Sequence, residues 1–214
     1  MEISMDISSI KAVVFDCDGV LFDTALANRK FYDAILDGFG RPPLNDEQFV
    51  NVHMMTVKGA VEYLFEDLED KSVVYEKIKS IGYDTFTPYM QMEAGLRELL
   101  KSLKDHGYIR GIATNRTNTM EKVLDEFDLI DDFDIVMTAA KVEKPKPDPE
   151  QLLKIMDRYA LAGKEILFLG DSLFDEQAAH SAGTCFGAFK SPELNADVHF
   201  QAMSGVQDLL NINE

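Results

Sequence analysis

Five short apolar runs, most of them separated by stretches with helical spacing, constrain this chain more than any other feature. The runs lie at residues 10–15, 108–113, 135–138, 165–169 and 184–188. They are β-branched or aromatic, start abruptly and stop abruptly, as strands buried on both faces do. Between them, residues 93–105 carry Leu96, Leu99, Leu100 and Leu103 at helical spacing and close on Gly107. Asn118 and Glu121 have the spacing of a capping box ahead of Val123, Leu124 and Phe127. Asp148-Pro149 makes an N-cap and first-turn pair ahead of Leu152, Leu153, Ile155 and Met156. Residues 175–182 form a helix that ends on Gly183. Strands alternating with helices predict an α/β fold built on a doubly wound, mostly parallel sheet.

The alternation breaks once. Residues 22–90 hold helical patterns at 25–36, 46–54, 57–68 and 72–80, with turn residues Gly38, Gly40, Pro42, Pro43 and Gly82, and no convincing strand. A crossover between parallel strands needs only a dozen or so residues, so this block is too long to be one. It reads as an inserted all-helical cap domain at 22–90, with residues 1–21 and 91–214 forming the core domain.

The full chain of 214 residues is long enough to bury a large core. Its net charge of −17, from 38 acidic and 21 basic residues, repels nucleic acid and anionic membranes and argues against both as partners. An anionic small molecule would need a local cationic device to overcome that field. No apolar run approaches the roughly 20 residues of a membrane helix. The N-terminus MEISMDISSI lacks the basic and apolar regions of a signal peptide. Two cysteines, Cys17 and Cys185, make no disulfide framework, so the simplest compartment is a reducing cytoplasm. Oligomeric state is not legible.

In an open α/β sheet, ligands bind outside the carboxyl ends of the strands. The first strand ends in Asp16-Cys17-Asp18-Gly19 and the second in Thr114-Asn115-Arg116. Lys144-Pro145-Lys146-Pro147 lies beyond the third, and the fourth ends in Gly170-Asp171-Ser172, with Asp175 four residues after Asp171. Any one such aspartate is ordinary turn chemistry; the set is not. Crowded carboxylates raise one another's pKa unless a cation sits among them. Oxygen-only ligands favour a hard cation such as Mg²⁺. The bare reading is therefore a Mg²⁺ site facing an anion, most simply a phosphate, with Lys144 completing the cationic device. Gly19 permits close backbone approach, and amides near residues 17–20 could form an anion nest.

The ordered set DCDGVLFD (Asp16 to Asp23), Thr114-Asn115, Lys144-Pro-Lys-Pro and GDSLFD (Gly170 to Asp175) resembles the four motifs of the haloacid dehalogenase superfamily. The helical insert resembles the C1 cap of its phosphoglycolate phosphatase-like and β-phosphoglucomutase-like branch, and the resemblance covers nearly the whole chain. It implies a Rossmann-like core and a Mg²⁺-dependent phosphatase acting on a small phosphorylated metabolite. By that resemblance Asp16 is the nucleophile that becomes an aspartyl phosphate. Asp18 is the general acid and then the general base. Thr114 and the Asn115 amide hold phosphoryl oxygens, and Lys144 neutralises charge on Asp16 and the phosphate. Asp16, the main-chain carbonyl of Asp18, and Asp171 ligate Mg²⁺, with Asp175 a second acidic group near the metal or Lys144. Residue 17 departs from the family's bulkier apolar choice; a small buried thiol is the plainer reading, an oxidation-sensitive one the sharper.

Other residues read as background. Arg116 is expected to face solvent rather than substrate, and Lys146 to be a loop charge. Arg29, Lys30 and Lys58 are expected on solvated helix faces, and His53, His106, His180 and His199 have no metal-ligand spacing. Within the family the alternative is a phosphosugar mutase. A dehalogenase lacks the aspartate found here at Asp18, and a phosphonatase would use a cap lysine such as Lys58. Outside it, the alternative is a phosphoacceptor or binding domain.

Overall fold

The computed structural model describes residues 6–213, apart from the Asp84 side chain. Met1 to Met5, on which the reading of the N-terminus partly rests, lie outside the described residues. Along the chain come β1 (Ala12–Phe15), the two-residue β2 (Phe22–Asp23), then α1 (Ala25–Asp37), α2 (Asp46–Met54), α3 (Val57–Leu64) and α4 (Ser72–Ile81). The two-residue β3 (Gln91–Met92) pairs with β2. Next are α5 (Leu96–Asp105), β4 (Ile109–Thr114), α6 (Met120–Glu126), β5 (Ile135–Thr138) and α7 (Glu150–Tyr159). The chain finishes with β6 (Ile166–Gly170), α8 (Leu173–Ala182), β7 (Cys185–Phe189), β8 (Val198–Phe200) and α9 (Ser204–Leu210). Two compact units result: residues up to Phe22 together with Met92 onwards, and Asp23–Gln91.

The larger unit is a six-stranded sheet in the order β5-β4-β1-β6-β7-β8, every pair parallel. Parallel strands this apolar need cover on both faces. On one face Leu152 and Ile155 of α7 and Ala178 and Ala179 of α8 pack with Ala12, Val14, Phe168 and Phe186. Elsewhere in the unit α5 packs on β4 and on α9, burying Leu96, Leu99, Leu100 and Leu103. The register decides the function. Phe15 is level with Ile112 of β4 and with Leu169 of β6. The residues that follow, Asp16, then Thr114, then Asp171, therefore emerge at nearly one height on the carboxyl edge.

The smaller unit, among its described residues, is helical, as its spacing predicts. Thr56 caps α3 by accepting from Gly59 N–H at 3.1 Å, and Asn45 and Gln48 form a reciprocal capping box on α2. The helix expected over 57–68 stops at Leu64, where Phe65 leaves helical backbone and the chain turns.

Local readings differ from the structure at several places; Asp148-Pro149, for one, is not an N-cap and first-turn pair, because Pro149 itself is the N-cap of α7 and no side chain caps it. Asn118 does not cap a helix with Glu121; α6 starts at Met120, after Thr119, without a side-chain cap. The helix expected from residue 93 starts at Leu96, because Gly95 takes a left-handed conformation and Glu93 N–H is spent on the Leu21 carbonyl. Strand β8 was not expected. It is three residues long and carries an exposed histidine, too short for alternation to register. It joins the sheet because Gly187 has no side chain; a Cβ there would collide with Phe200 and Leu169.

Candidate active site

Asp16 follows β1 and is 7% exposed. Its Oδ1 accepts from Cys17 N–H at 2.7 Å and from Lys146 Nζ at 2.8 Å. The lysine that meets Asp16 is thus Lys146 rather than Lys144. Lys144 is exposed, and its backbone N–H, with that of Glu143, is tied to the Glu150 carboxylate at the start of α7. Lys146 is pulled inward instead: its carbonyl accepts from Asn115 Nδ2 at 3.0 Å, and its ammonium reaches both Asp16 and Asp175. Its side chain is nearly fully buried, so the reading of Lys146 as a loop charge is also corrected.

Asp175 is completely buried on the first turn of α8. Its Oδ1 accepts from Lys146 at 2.7 Å. Its Oδ2 accepts from the Ser172 hydroxyl at 2.5 Å and from the Ser172 and Asp171 amides at 3.1 and 3.3 Å. With both oxygens committed, this carboxylate shapes the loop that presents Asp171 and aims Lys146. Two glycines make room. A Cβ on Gly170 would strike Asp175, and a Cβ on Gly19, whose φ is +79°, would strike the Asp171 carboxylate.

Asp16, Asp171 and Asp175 each offer a carboxylate oxygen within 4.8 Å of the others. Burial, against the pull of Lys146 and with help from Asp175 and Asp18, raises Asp16 to about 7. Burial, with Asp175, Asp16 and Asp18 and against the pull of Lys146, raises Asp171 well above its ordinary value. Burial works against the charge on Lys146, but Asp16 and Asp175 outweigh it and hold the ammonium above its ordinary value. One buried cation for three crowded carboxylates is a donor set that a hard divalent cation would complete.

A stability prediction follows for the protein in chelator. A carboxyl with a raised folded pKa binds protons more tightly folded than unfolded. Its stabilising effect is therefore full below the unfolded value and fades as pH rises through the folded one. Between about pH 5 and 7 the urea midpoint is expected to fall, because Asp16, raised from 3.8 to about 7, ionises there. A midpoint that rises steadily over that window in chelator would contradict it.

The Asp18 side chain does not join the three carboxylates. It lies in a bidentate pair with Arg116, which is 9% exposed and does not face solvent as expected. Thr114 is buried at the end of β4; its hydroxyl accepts from Arg116 N–H at 3.2 Å, and its carbonyl accepts from Gln151 Nε2 at 2.8 Å. Asn115 spends its side-chain amide on Lys146. The anion nest expected near residues 17–20 is partly spent too, because Cys17 N–H serves Asp16 and Gly19 N–H donates to the Phe22 carbonyl. Cys17 is fully buried, and burial pushes its thiol up, which fits a small core residue and not a reactive one.

In the smaller unit Arg29 pairs with Asp46 and lies over the Phe49 ring, and Lys30 lies over Tyr89. Lys58 is exposed. His53 bonds with Asn28, while in the larger unit His106 and His199 bond backbone carbonyls. Among the described residues none of the four histidines belongs to a metal-ligand cluster. Arg116, Lys146 and Gln151 are the site residues that sequence reasoning missed. Arg116 and Lys146 sit inside the quoted motif segments, but nothing in the string says which of two nearby lysines turns inward.

A model of haloacid dehalogenase-like hydrolases matches residues 13–189, and the chain belongs to that family. A phosphoglycolate phosphatase of Nitrosospira multiformis is 32% identical over 183 residues, covering 82% of this chain and 81% of its own. An N-acetylmuramic acid 6-phosphate phosphatase of Pseudomonas aeruginosa is 27% identical over 180 residues, covering 82% and 79%. Among solved structures, a subfamily IA, variant 1 hydrolase of this superfamily from Geobacter sulfurreducens is 40% identical, with a TM-score of 0.76. It covers 94% of this chain and 97% of its own. No helix among the described residues is long and apolar enough to cross a membrane.

Proposed function

We propose that the protein is a Mg²⁺-dependent phosphatase that hydrolyses a small phosphomonoester through a phosphorylated Asp16. The observation that carries this reading is the position of Asp16. It is a buried carboxylate at the end of β1, held by Lys146 on one oxygen, with Asp171 alongside and Thr114 on the adjacent strand. Phosphoryl transfer asks a protein mainly for in-line positioning and charge neutralisation, and this arrangement offers both. The phosphatases among the curated relatives support hydrolysis of a phosphate ester over sugar-phosphate isomerisation. Membership of a hydrolase family supports an enzyme over a phosphoacceptor or binding domain.

Asp16 attacks phosphorus, the bond from phosphorus to the ester oxygen breaks, and Asp18 supplies the proton that oxygen needs. Water then attacks the Asp16 phosphate, with Asp18 taking a proton from it. Thr114 offers its hydroxyl to phosphoryl oxygens, and Lys146 neutralises the carboxylate and the developing charge. Asp171 and Asp16, with the Asp18 main-chain carbonyl, would hold Mg²⁺. When bound, the ion supplies charge neutralisation at the phosphoryl oxygens and relieves the crowding that raises Asp16 and Asp171.

The test is phosphate release from a panel of small phosphomonoesters. Turnover is expected to disappear in excess chelator and to return with Mg²⁺. Ca²⁺ is expected to restore it poorly, because its larger and looser coordination disturbs in-line attack. Full activity in excess chelator would overturn the metal requirement.

A further inference from the structure

The Asp18 side chain is gripped before any substrate arrives. Arg116 Nε donates to its Oδ2 and Nη2 to its Oδ1, each at 2.8 Å. The arginine is anchored at both ends. Its backbone N–H is held by Thr114 Oγ1 at 3.2 Å, and its Nη1 donates to Thr119 Oγ1 at 3.4 Å. A two-pronged guanidinium fixes the plane of a carboxylate as well as its position. A carboxylate held this way is oriented to accept a proton.

We infer that Arg116 is a positioning residue that holds Asp18 as the base for the hydrolytic half of the reaction. The inference rests on the reading of Asp16 as nucleophile and Asp18 as acid–base group. In that half-reaction an Asp18 oxygen takes a proton from water and the water oxygen bonds to phosphorus. The bond from phosphorus to Asp16 breaks, and its electron pair returns to the Asp16 carboxylate. Inorganic phosphate leaves, and the proton on Asp18 is the one delivered to the leaving oxygen of the next ester. Where the leaving group departs without a proton, the positioning of Asp18 by Arg116 therefore counts in the second half-reaction and gives little to the first.

The two halves separate with p-nitrophenyl phosphate, whose leaving phenolate departs without a proton. With Mg²⁺ present, Arg116→Ala is expected to lower kcat about 10–100-fold, no more than the lower end of what general base catalysis supplies, because Asp18 itself remains. KM should fall with it, leaving kcat/KM within about threefold, because the first half-reaction is untouched. A rapid burst of p-nitrophenolate approaching one per site should precede the slow steady state. Asp18→Asn should give the same burst, and adding Arg116→Ala to it should slow turnover no further, because the arginine acts through the aspartate. Arg116→Lys keeps the charge but loses one prong. It should burst with a smaller fall in kcat, and it carries the test if the alanine variant does not fold.

A parallel loss of kcat/KM without a burst would overturn the inference, since it would mean that Arg116 grips the phosphate or merely packs. So would additive losses in the double variant. Wild-type turnover by Asp18→Asn would overturn the acid–base reading as well, so the two failures are distinguishable.

Discussion

Asp16→Asn is expected to abolish phosphate release, with a loss on the order of 10⁴-fold or more in kcat. The amide is nearly the same size and can still accept from Cys17 N–H, so the edge of the sheet is not disturbed. What disappears, on the proposed mechanism, is the nucleophile. A carboxylate oxygen can bond to phosphorus and later leave; a carboxamide oxygen is far too weak to do so. The same change removes one of the crowded carboxylates, whose pKa burial raises to about 7. In chelator above that pH the variant is therefore expected to unfold at a urea concentration no lower than wild type, because Lys146 retains Asp175. A stable but inactive protein separates chemistry from folding. Phosphate release at the wild-type rate would show that Asp16 is not phosphorylated.

Much of this arrangement can be read from residue order. The buried strands announce themselves because each is short, apolar on both faces and flanked by turn chemistry. Their parallel register follows from the helices between them, and register alone brings Asp16, Thr114 and Asp171 to one edge. The choice between Lys144 and Lys146 is different in kind. Two lysines in Lys-Pro-Lys-Pro have identical local chemistry. Their fates are decided by long-range partners: Glu150 collects the amides before Pro145, while Asn115 draws in the carbonyl of Lys146. Arg116 escapes for the same reason. It is an arginine after a strand, and only a partner 98 residues away in sequence, Asp18, tells it from a solvated one. Gln151 is hidden by its helix, where a polar residue beside Leu152 has no periodic signature, yet it is fully buried and holds the Thr114 carbonyl. Pattern finds the elements and the acids; pairing decides which bases serve them.

The two lysines give the sharpest comparison of that kind. Lys146→Ala removes the cation that bridges Asp16 and Asp175, leaving two buried carboxylates facing each other and Asp171. Breaking a buried ion pair on one side typically costs about 3–5 kcal/mol, because the remaining charge is uncompensated. For a chain of this size that is a fall of about 6–20 °C in melting temperature at neutral pH. The deficit should shrink as pH is lowered towards 5, since protonation relieves the repulsion that the ammonium no longer balances. Mg²⁺ should recover part of the stability by bringing charge back among the same carboxylates. Turnover should not recover with it. Loss of one preorganised positive partner at a charge-developing site costs about 10²–10³-fold, and Asp16 would also lose the contact that fixes its attacking geometry. Lys144→Ala changes an exposed side chain, so its stability should stay within about 0.5 kcal/mol of wild type and its kcat should be near normal. The pair is decisive because the residues are two apart and chemically identical. If Lys144→Ala were inactive and Lys146→Ala active and stable, the cation serving Asp16 would be the exposed lysine, and the inward turn of Lys146 would have no part in catalysis.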